Sequence, residues 1–196
     1  MAVAAVVLAG GGSVRMGRPK QGLRLAGRTL LQRTVDGCLA AGCERVVVVA
    51  AEQAAWDYLA PDHRISTALE DPPDGGPVAG IVAGLDELDP GERDAVLLTA
   101  CDLPRSPELV AALLAAAGGQ ILDRAVVPVD EEGWPQYLAA LYPADALRRS
   151  IEQAPELRDV SVRRLMRTLE HRELVVDPQL LADVDDPAAA RRAGLV

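Results

Sequence analysis

The sequence predicts a three-layer, doubly wound α/β fold with a mostly parallel sheet, formed by a single domain over residues 1–196. Three apolar runs of strand length, at 3–9, 45–51 and 95–100, show no alternation of apolar and polar residues, as is typical of strands covered on both faces. Stretches with a helical spacing of apolar residues separate these runs. A chain of 196 residues with 49% hydrophobic and 25% charged residues can bury the core that this fold requires.

Glycine and proline residues mark the ends of the predicted helices. Gly42 ends the first helix, and Gly118 ends the third. Ser106 is the predicted N-cap of the third helix, with Pro107 as its first helical residue. The three helices are predicted at 30–39, about 78–88 and 107–117.

The pattern changes after residue 120. Apolar runs at 125–129 and 137–142 lie too close together for a helical crossover, which predicts a small antiparallel excursion in the C-terminal half. The remaining predicted elements are helices at about 144–153 and 161–169, a short apolar stretch at 174–176 and a last helical turn beginning near Pro187.

Positive charge is concentrated near the N-terminus of a chain that is acidic overall. The formal net charge of −9 argues against a general nucleic-acid binder, because affinity for the phosphate backbone requires an accumulated positive surface. Residues 1–35 carry six bases and no acid, and five of these bases fall within 15–28, directly after a glycine-rich turn. This placement predicts a site for anions such as phosphates, with a solvated basic face as the alternative.

The turn that leaves the first strand carries the strongest functional signal, in the sequence Leu8-Ala9-Gly10-Gly11-Gly12-Ser13-Val14-Arg15-Met16-Gly17-Arg18-Pro19-Lys20. Successive glycines let backbone amides approach phosphate oxygens or a base edge, because no Cβ stands in the way. The segment is not a Walker A loop, since Arg18-Pro19 stands where that motif requires Lys followed by Ser or Thr. It is not a dinucleotide-binding G-x-G-x-x-G motif either, because Arg15 occupies the position of the third glycine. A flexible turn would explain the glycines but not the accompanying polar and basic residues.

Asp102 lies just past the end of the 95–100 strand. Ligands of open α/β sheets bind at the carboxyl ends of the strands, so 9–20 and 101–104 are expected to line one crevice. A carboxylate on this rigid support suits Mg²⁺, which prefers one or two carboxylates together with phosphate oxygens and water. A helix-capping or surface aspartate is the alternative interpretation of Asp102.

Two further acids, Asp183 and Asp185, are candidates for the same site. They are two positions apart and would face the same way in an extended segment, so one of them could complete a metal site with Asp102. Equally, Asp185 or Asp186 could cap the helix that begins at Pro187.

The segment from Leu8 to Lys20 resembles the L-A-G-G-x-S-x-R-M-G-x-x-K signature of the molybdenum cofactor guanylyltransferase (MobA-like) family at every fixed position. The resemblance implies a Rossmann-like fold of the nucleotide-diphospho-sugar transferase type. It also implies a nucleotide-binding half at about 1–118 and an acceptor-binding half at about 119–196. Further similar segments lie at 70–71 with 76–81, 102–104, 136–142, 160–165 and 183–187.

The resemblance implies roles for particular residues. Arg15, Lys20 and Asp102 would be catalytic, and Mg²⁺ would be the cofactor, held by Asp102 and Asp185. The residues implied to bind the nucleotide are Leu8, Ala9, Gly10, Gly11, Gly12, Ser13, Lys20, Asp71, Gly76 and Asp102. A phosphate monoester acceptor, with a second pKa of about 6, needs no catalytic histidine, so His63 and His171 are interpreted as surface residues.

The implied reaction is transfer of GMP from GTP to the phosphate of Mo-molybdopterin, giving molybdopterin guanine dinucleotide and pyrophosphate. Within the wider family Gly10-Gly11 favours guanine over cytosine, and molybdopterin-handling proteins or molybdoenzymes would be the protein partners. Departures from the family pattern at Ala50-Ala51, at Tyr137 and at both Asp183 and Asp185 leave the base and acceptor open. The alternatives are cytidylyl transfer to molybdopterin, activation of a sugar phosphate, and a non-catalytic nucleotide-binding adaptor.

The lengths of the apolar runs and the cysteine content indicate the cellular compartment. The apolar runs are too short to span a bilayer and no charged segment precedes the first, so we expect a cytoplasmic protein without membrane contact. The three cysteines are an odd number and form no C-x-x-C pair, which predicts neither a disulfide framework nor a zinc site.

Overall fold

Seven strands form one sheet in the computed structural model, which describes residues 1–10, 16–73, 75–88, 94–153 and 160–196. With the two strands of a separate hairpin included, the strands are β1 (Val3–Leu8), β2 (Arg24–Leu25), β3 (Arg28–Thr29), β4 (Arg45–Val49), β5 (Ile65–Ala68), β6 (Ala95–Ala100), β7 (Ala125–Val129), β8 (Ala140–Pro143) and β9 (His171–Val175). The helices are α1 (Leu30–Ala40), α2 (Glu52–Trp56), α3 (Pro77–Glu87), α4 (Ser106–Ala117), α5 (Ala144–Glu152), α6 (Val162–Met166) and α7 (Pro187–Arg192).

The main sheet has the strand order β5-β4-β1-β6-β8-β7-β9, and β2 and β3 form a separate hairpin. Strands β5, β4, β1 and β6 are parallel to one another, while β8 runs antiparallel to both of its neighbours. The pairing of β7 with β8 confirms the predicted antiparallel excursion, and β9 then adds parallel to β7. The predicted doubly wound, mostly parallel sheet is confirmed.

Helices cover both faces of the sheet, as a three-layer fold requires. One core cluster joins α1 and α4 to the sheet through residues such as Leu31 and Leu109, and a second joins α3, α5 and α6 through residues such as Ile81 and Leu147. Helix α3 approaches the sheet closely at Gly84, where an added Cβ would lie 2.4 Å from Cγ1 of Val6. The central strands are therefore buried on both faces, which explains their continuous apolar runs.

The start of α4 differs from the prediction. The helix begins at Ser106 itself, its N-cap is Arg105, and no side chain caps it. The Ser106 hydroxyl is instead buried, 2.8 Å from Oγ1 of Thr34 on α1, so this serine links two helices across the layer. The predicted end is correct, because Gly118 adopts the left-handed conformation with φ 66°.

The other differences between the predicted and the observed secondary structure concern short elements. Strand β5 and helix α2 were not predicted, and α6 ends at Met166 rather than near residue 169. Asp186 caps α7 by accepting hydrogen bonds from the amides of Ala188 and Ala189, which assigns the predicted cap to Asp186 rather than Asp185. Among the described residues, none of the helices has the length and apolarity needed to cross a membrane.

Candidate active site at the carboxyl ends of the parallel strands

A cleft of about 680 Å³ lies at the carboxyl ends of the parallel strands, where the fold predicts a ligand. The two segments expected to share a crevice contribute Ala9, Gly10, Lys20, Cys101 and Asp102 to its walls. The other residues that line it are Leu8, Gln21, Val49, Ala50, Ala51, Ala54, Leu69, Glu70, Pro73, Gly76, Pro77, Gly80, Ala100 and Leu138. The cleft is therefore bounded by the ends of four neighbouring strands and by the start of α3.

Most of the described candidate residues lie in this cleft. Leu8, Ala9, Gly10, Lys20, Gly76 and Asp102 all line it. Asp71 is exposed and does not line the cleft, whereas its neighbour Glu70 does. The candidates Gly11, Gly12, Ser13 and Arg15 fall outside the described residues.

Lys20 is held at the rim of the cleft by local backbone structure. It opens a single turn of 3₁₀ helix after Pro19, and its carbonyl accepts a hydrogen bond from the amide of Leu23 at 3.0 Å. Its ammonium group donates to Oδ2 of Asp102 at 3.3 Å and also to Oδ1 of Asp185. The side chain of Lys20 is only 18% exposed, so the cation is held against the cleft rather than extended into solvent.

The environment of Lys20 stabilises its charged form. Partial burial lowers the pKa of the ammonium group, but the hydrogen bond to Asp185 and the negative charges of Asp102 and Asp185 outweigh burial and raise the pKa above its ordinary value. Lys20 is therefore a permanent cation at neutral pH, suited to contact with phosphate oxygens and unsuited to proton abstraction.

Backbone hydrogen bonds bring the acidic residues to the same point. The amide of Cys101 donates to the carbonyl of Leu8 at 3.1 Å, which continues the pairing of β1 and β6 up to Asp102. The amide of Val184 then donates to the carbonyl of Asp102 at 3.0 Å and fixes the segment that carries Asp183 and Asp185. Because Val184 is buried, its two exposed neighbours both face the site, as the spacing predicts.

Three carboxylates converge here. One oxygen from each of Asp102, Asp183 and Asp185 lies within 4.8 Å of the other two. Partial desolvation raises the pKa of Asp183, and the negative charges of Asp185 and Asp102 raise it further. The cluster thus carries more negative charge than Lys20 balances, and its donors are all hard oxygens, so the described residues fit a hard divalent cation such as Mg²⁺.

Two site features were not obtained from the sequence. Both Asp183 and Asp185 lie beside Asp102, whereas the sequence predicts that one of them completes the metal site. Glu70 faces the cleft, although the sequence pattern singled out Asp71. The signal for Glu70 was its position two residues beyond a strand end, but that strand, β5, was itself not recognised.

Comparison with known proteins gives a consistent assignment. Residues 5–174 match the family model described as the MobA-like NTP transferase domain. The chain is 36% identical over 153 residues to a probable molybdenum cofactor guanylyltransferase of Synechococcus elongatus, covering 74% of this chain and 75% of the relative. It is 31% identical over 202 residues to a protein of the same description from Natronomonas pharaonis, covering 96% and 95% of the two chains.

A solved structure shares the fold and contains a metal. The Rv0371c protein of Mycobacterium tuberculosis H37Rv, in complex with manganese, superposes with a TM-score of 0.70 at 23% identity, covering 98% of this chain and 97% of that chain. A divalent cation is thus bound by a protein with the same fold. That agrees with the donor set formed by Asp102, Asp183 and Asp185.

Proposed function

This chain belongs to the family of MobA-like NTP transferase domains, and from that premise we propose that it transfers GMP from GTP to the phosphate of Mo-molybdopterin. The relatives at 36% and 31% identity are described as probable molybdenum cofactor guanylyltransferases, which supports this choice of substrates. The observation that carries the proposal is the convergence of the Lys20 ammonium and three carboxylates at one end of a cleft at the sheet edge.

The proposed reaction forms one P–O bond and breaks another. An oxygen of the acceptor phosphate attacks the α-phosphorus of GTP, the bond from that phosphorus to the α,β-bridging oxygen breaks, and pyrophosphate leaves. Molybdopterin guanine dinucleotide is the other product. The acceptor phosphate is largely dianionic at neutral pH, since its second pKa is about 6, so no side chain has to remove a proton.

The protein contributes alignment and charge neutralisation to this reaction. Two anions must be held close together while negative charge builds up on the leaving pyrophosphate. We assign Lys20 to the leaving pyrophosphate, because it lines the cleft and its ammonium group lies beside the proposed metal ligand Asp102. Arg15 is assigned to the same anion, and Gly10, Gly11, Gly12 and Ser13 to the nucleotide, as parts of the same proposal.

Mg²⁺ is the proposed cofactor. Asp102 and Asp185 would hold it, and Asp183 is close enough to be a further ligand. When bound, the ion would neutralise phosphate oxygens and help to orient the triphosphate. We also assign nucleotide binding to residues of about 1–118 and acceptor binding to residues of about 119–196. The hydrogen bond from the amide of Val184 to the carbonyl of Asp102 supports a shared site between these two segments.

The proposal is tested by measuring pyrophosphate release with each of the four ribonucleoside triphosphates. The purified protein is assayed with Mg²⁺, with and without Mo-molybdopterin. We expect release with GTP only, and only when both acceptor and divalent cation are present. Release with CTP in place of GTP would make the protein a cytidylyltransferase, and GTP binding without release would make it an adaptor; either result would overturn the proposal.

A further inference from the structure

A third core cluster lies beside the candidate active site. It consists of six buried side chains, none of which belongs to a strand of the main sheet: Met16, Leu23, Leu30, Val184, Ala190 and Leu195. The two clusters that join the helices to the sheet share no residue with it. The third cluster therefore packs as a unit of its own, between the segment that follows β1 and the segment that includes α7.

The third cluster flanks both kinds of charged group in the site. Met16 and Leu23 lie on either side of Lys20 along the chain, and both side chains are buried in the cluster. Val184, in the middle of the acidic segment 183–185, is buried in the same cluster. The packing of these three side chains thus determines where the ammonium group and the carboxylates lie relative to each other.

Leu195 is brought into the third cluster by the turn that ends α7. Gly194 adopts the left-handed conformation with φ 72°, and its amide donates to the carbonyl of Arg191 at 3.1 Å. The amide of Leu195 donates to the carbonyl of Ala190 at 2.9 Å. These two hydrogen bonds form a Schellman motif, which turns the chain back on the helix and leaves the Leu195 side chain only 5% exposed.

The residue after Leu195 pairs with the hairpin of β2 and β3. The amide of Arg24 donates to the carbonyl of Val196 at 2.9 Å, and the amide of Val196 donates to the carbonyl of Arg24 at 3.0 Å. The amide of Leu30 donates to the carbonyl of Leu23 at 2.8 Å at the base of the same hairpin. Residues 195 and 196 are therefore attached, by packing and by two hydrogen bonds, to the segment that carries Lys20.

The carboxylates of the site repel one another, so other interactions have to hold them together. One oxygen from each of Asp102, Asp183 and Asp185 lies within 4.8 Å of the other two, a distance at which like charges destabilise one another. Burial of Val184 and Leu195 in the third cluster opposes this repulsion. The arrangement has to be maintained closely, because a displacement of about 1 Å can lower a catalysed rate about 100-fold.

We propose that Leu195 is a positioning residue for the site. By filling the third cluster, its side chain holds Lys20 and the acidic segment 183–185 at the separation that a metal-bound triphosphate requires. Leu195 does not line the cleft, so it acts through the packing of its neighbours. This assignment rests on the proposed function, in which these charged groups hold the metal ion and the triphosphate.

The test compares Leu195→Ala with Leu195→Met and Leu85→Ala. Leu195→Ala leaves a cavity in the third cluster, whereas Leu195→Met nearly preserves the volume of the side chain. Leu85→Ala is the matched control, because Leu85 is 3% exposed, belongs to the second core cluster and does not line the cleft. Each protein is titrated with Mn²⁺ alone, and the acetylation rate of Lys20, the only lysine in the sequence, is measured without any ligand.

We expect Leu195→Ala to weaken Mn²⁺ binding by about 10- to 100-fold, as loss of a group that orients metal ligands does. The acetylation rate of Lys20 should rise, because the ammonium group is no longer held against the carboxylates. Leu195→Met should restore both values, and Leu85→Ala should change neither, although both alanine variants lower the melting temperature. Wild-type values in Leu195→Ala, or equal changes in Leu85→Ala, would overturn the proposal.

Hydrogen exchange of the wild type provides a test that needs no variant, in case Leu195→Ala fails to fold. If Leu195 positions the metal ligands, Mn²⁺ in turn stabilises the packing of Leu195, because coupling free energies are reciprocal. Mn²⁺ should therefore slow exchange of the Leu195 and Val196 amides more than exchange of the Cys43 amide, which donates to the carbonyl of Cys38. No greater slowing at Leu195 and Val196 than at Cys43 would overturn the proposal.

The outcome for Leu195 is separable from that of the proposed function, because labelling of Lys20 requires neither nucleotide nor turnover. A protein that releases no pyrophosphate, but in which Leu195→Ala alone speeds acetylation of Lys20 and weakens Mn²⁺ binding, would contradict the transfer reaction and support the positioning role. Conversely, equal rates of GMP transfer by Leu195→Ala and the wild type would contradict the positioning role alone.

Discussion

The Nζ atom of Lys20 lies 3.3 Å from Oδ2 of Asp102, although 82 positions separate the two residues in the sequence. One side chain belongs to the turn after β1 and the other follows β6, and the parallel pairing of these strands brings the two turns to the same edge of the sheet. A cation and an anion at the mouth of one cleft suit a ligand that carries both phosphates and a metal ion. The following predictions test that arrangement.

Asp102→Asn removes a charge from the carboxylate cluster with almost no change in shape. We expect transfer activity to fall by about 100-fold or more, because a bound divalent cation contributes several kcal/mol of charge stabilisation in such reactions. The melting temperature should change little, since Asp102 is part-exposed and is not a core residue. Steady-state pyrophosphate release measures the effect, and near-normal turnover would refute the metal role. Asp123→Asn, at an exposed position outside the cleft, is the matched control.

Lys20 is the only lysine in the sequence, so amine-directed chemistry reports on this side chain and the N-terminus alone. GTP with Mg²⁺ should protect Lys20 from acetylation, because a phosphate group would cover the ammonium. Mass spectrometry of the Lys20 peptide gives the rate of labelling, and the N-terminal amine serves as the internal control. Equal labelling of Lys20 with and without GTP would contradict its assignment to the triphosphate.

The raised pKa of Lys20 also predicts an alkaline effect on stability. Because the folded-state pKa lies above the ordinary value of 10.5, its ion pairs contribute fully below pH 10.5 and are lost as the pH rises through the folded-state value. The wild type should therefore lose more thermal stability between pH 10 and pH 12 than Lys20→Met. An identical loss in both proteins would show that the ion pairs do not contribute.

Asp183→Asn should stabilise the metal-free protein while weakening metal binding. The pKa of Asp183 is raised by partial desolvation and by its acidic neighbours, so stability is greatest below the ordinary value of 3.8 and falls as the pH rises through the folded-state pKa. At neutral pH the substitution removes this repulsion, for a gain of at most about 1 kcal/mol at an exposed site. Thermal melting in the presence of EDTA measures the stability of the metal-free protein. Titration with Mn²⁺ measures the affinity for metal. Asp186→Asn, which retains the helix cap, should leave the affinity for Mn²⁺ unchanged. A lower melting temperature of the metal-free protein after Asp183→Asn would contradict the interpretation.

Gly84→Ala should destabilise the fold, even though alanine favours helices. The added Cβ would lie 2.4 Å from Cγ1 of Val6, a fully buried and rigid side chain of β1. Overpacking of this kind costs about 1–3 kcal/mol, more than the gain of up to about 1 kcal/mol in helix propensity. Gly80→Ala is the comparison, since its nearest neighbour would be the end of the Leu8 side chain at 3.1 Å. Chemical denaturation that ranks Gly80→Ala as the more damaging change would contradict this account of the packing.

The long elements of the fold could be predicted because local sequence determines them. The apolar runs that become β1 and β6 are covered on both faces, and Gly118 marks the end of α4. Strand β5 was missed because it is only four residues long and includes Ser66 and Thr67. Ser106 was assigned to a helix cap because the cap pattern is local, whereas its actual partner, Thr34, is 72 positions away.

The site also combines features that local sequence determines with features that depend on contacts between distant residues. Lys20 and Asp102 could be predicted because each follows a recognisable strand, and strand ends of a parallel sheet meet at one edge. The choice between Glu70 and Asp71 could not be made, since the two acids are adjacent and the path of the chain after β5 decides which one faces the cleft. The joint position of Asp183 and Asp185 depends on the hydrogen bond from Val184 to Asp102, a contact across 82 residues.

The fate of the α-phosphate tests the central claim most directly. The protein is incubated with Mg²⁺, Mo-molybdopterin and GTP labelled with ³²P at either the α or the γ position, and the products are separated. Nucleotidyl transfer predicts that the α label appears in the molybdopterin product and the γ label in pyrophosphate, with both signals lost in Asp102→Asn. Appearance of the γ label in the molybdopterin product or in inorganic phosphate, with the α label retained in GDP, would contradict the account.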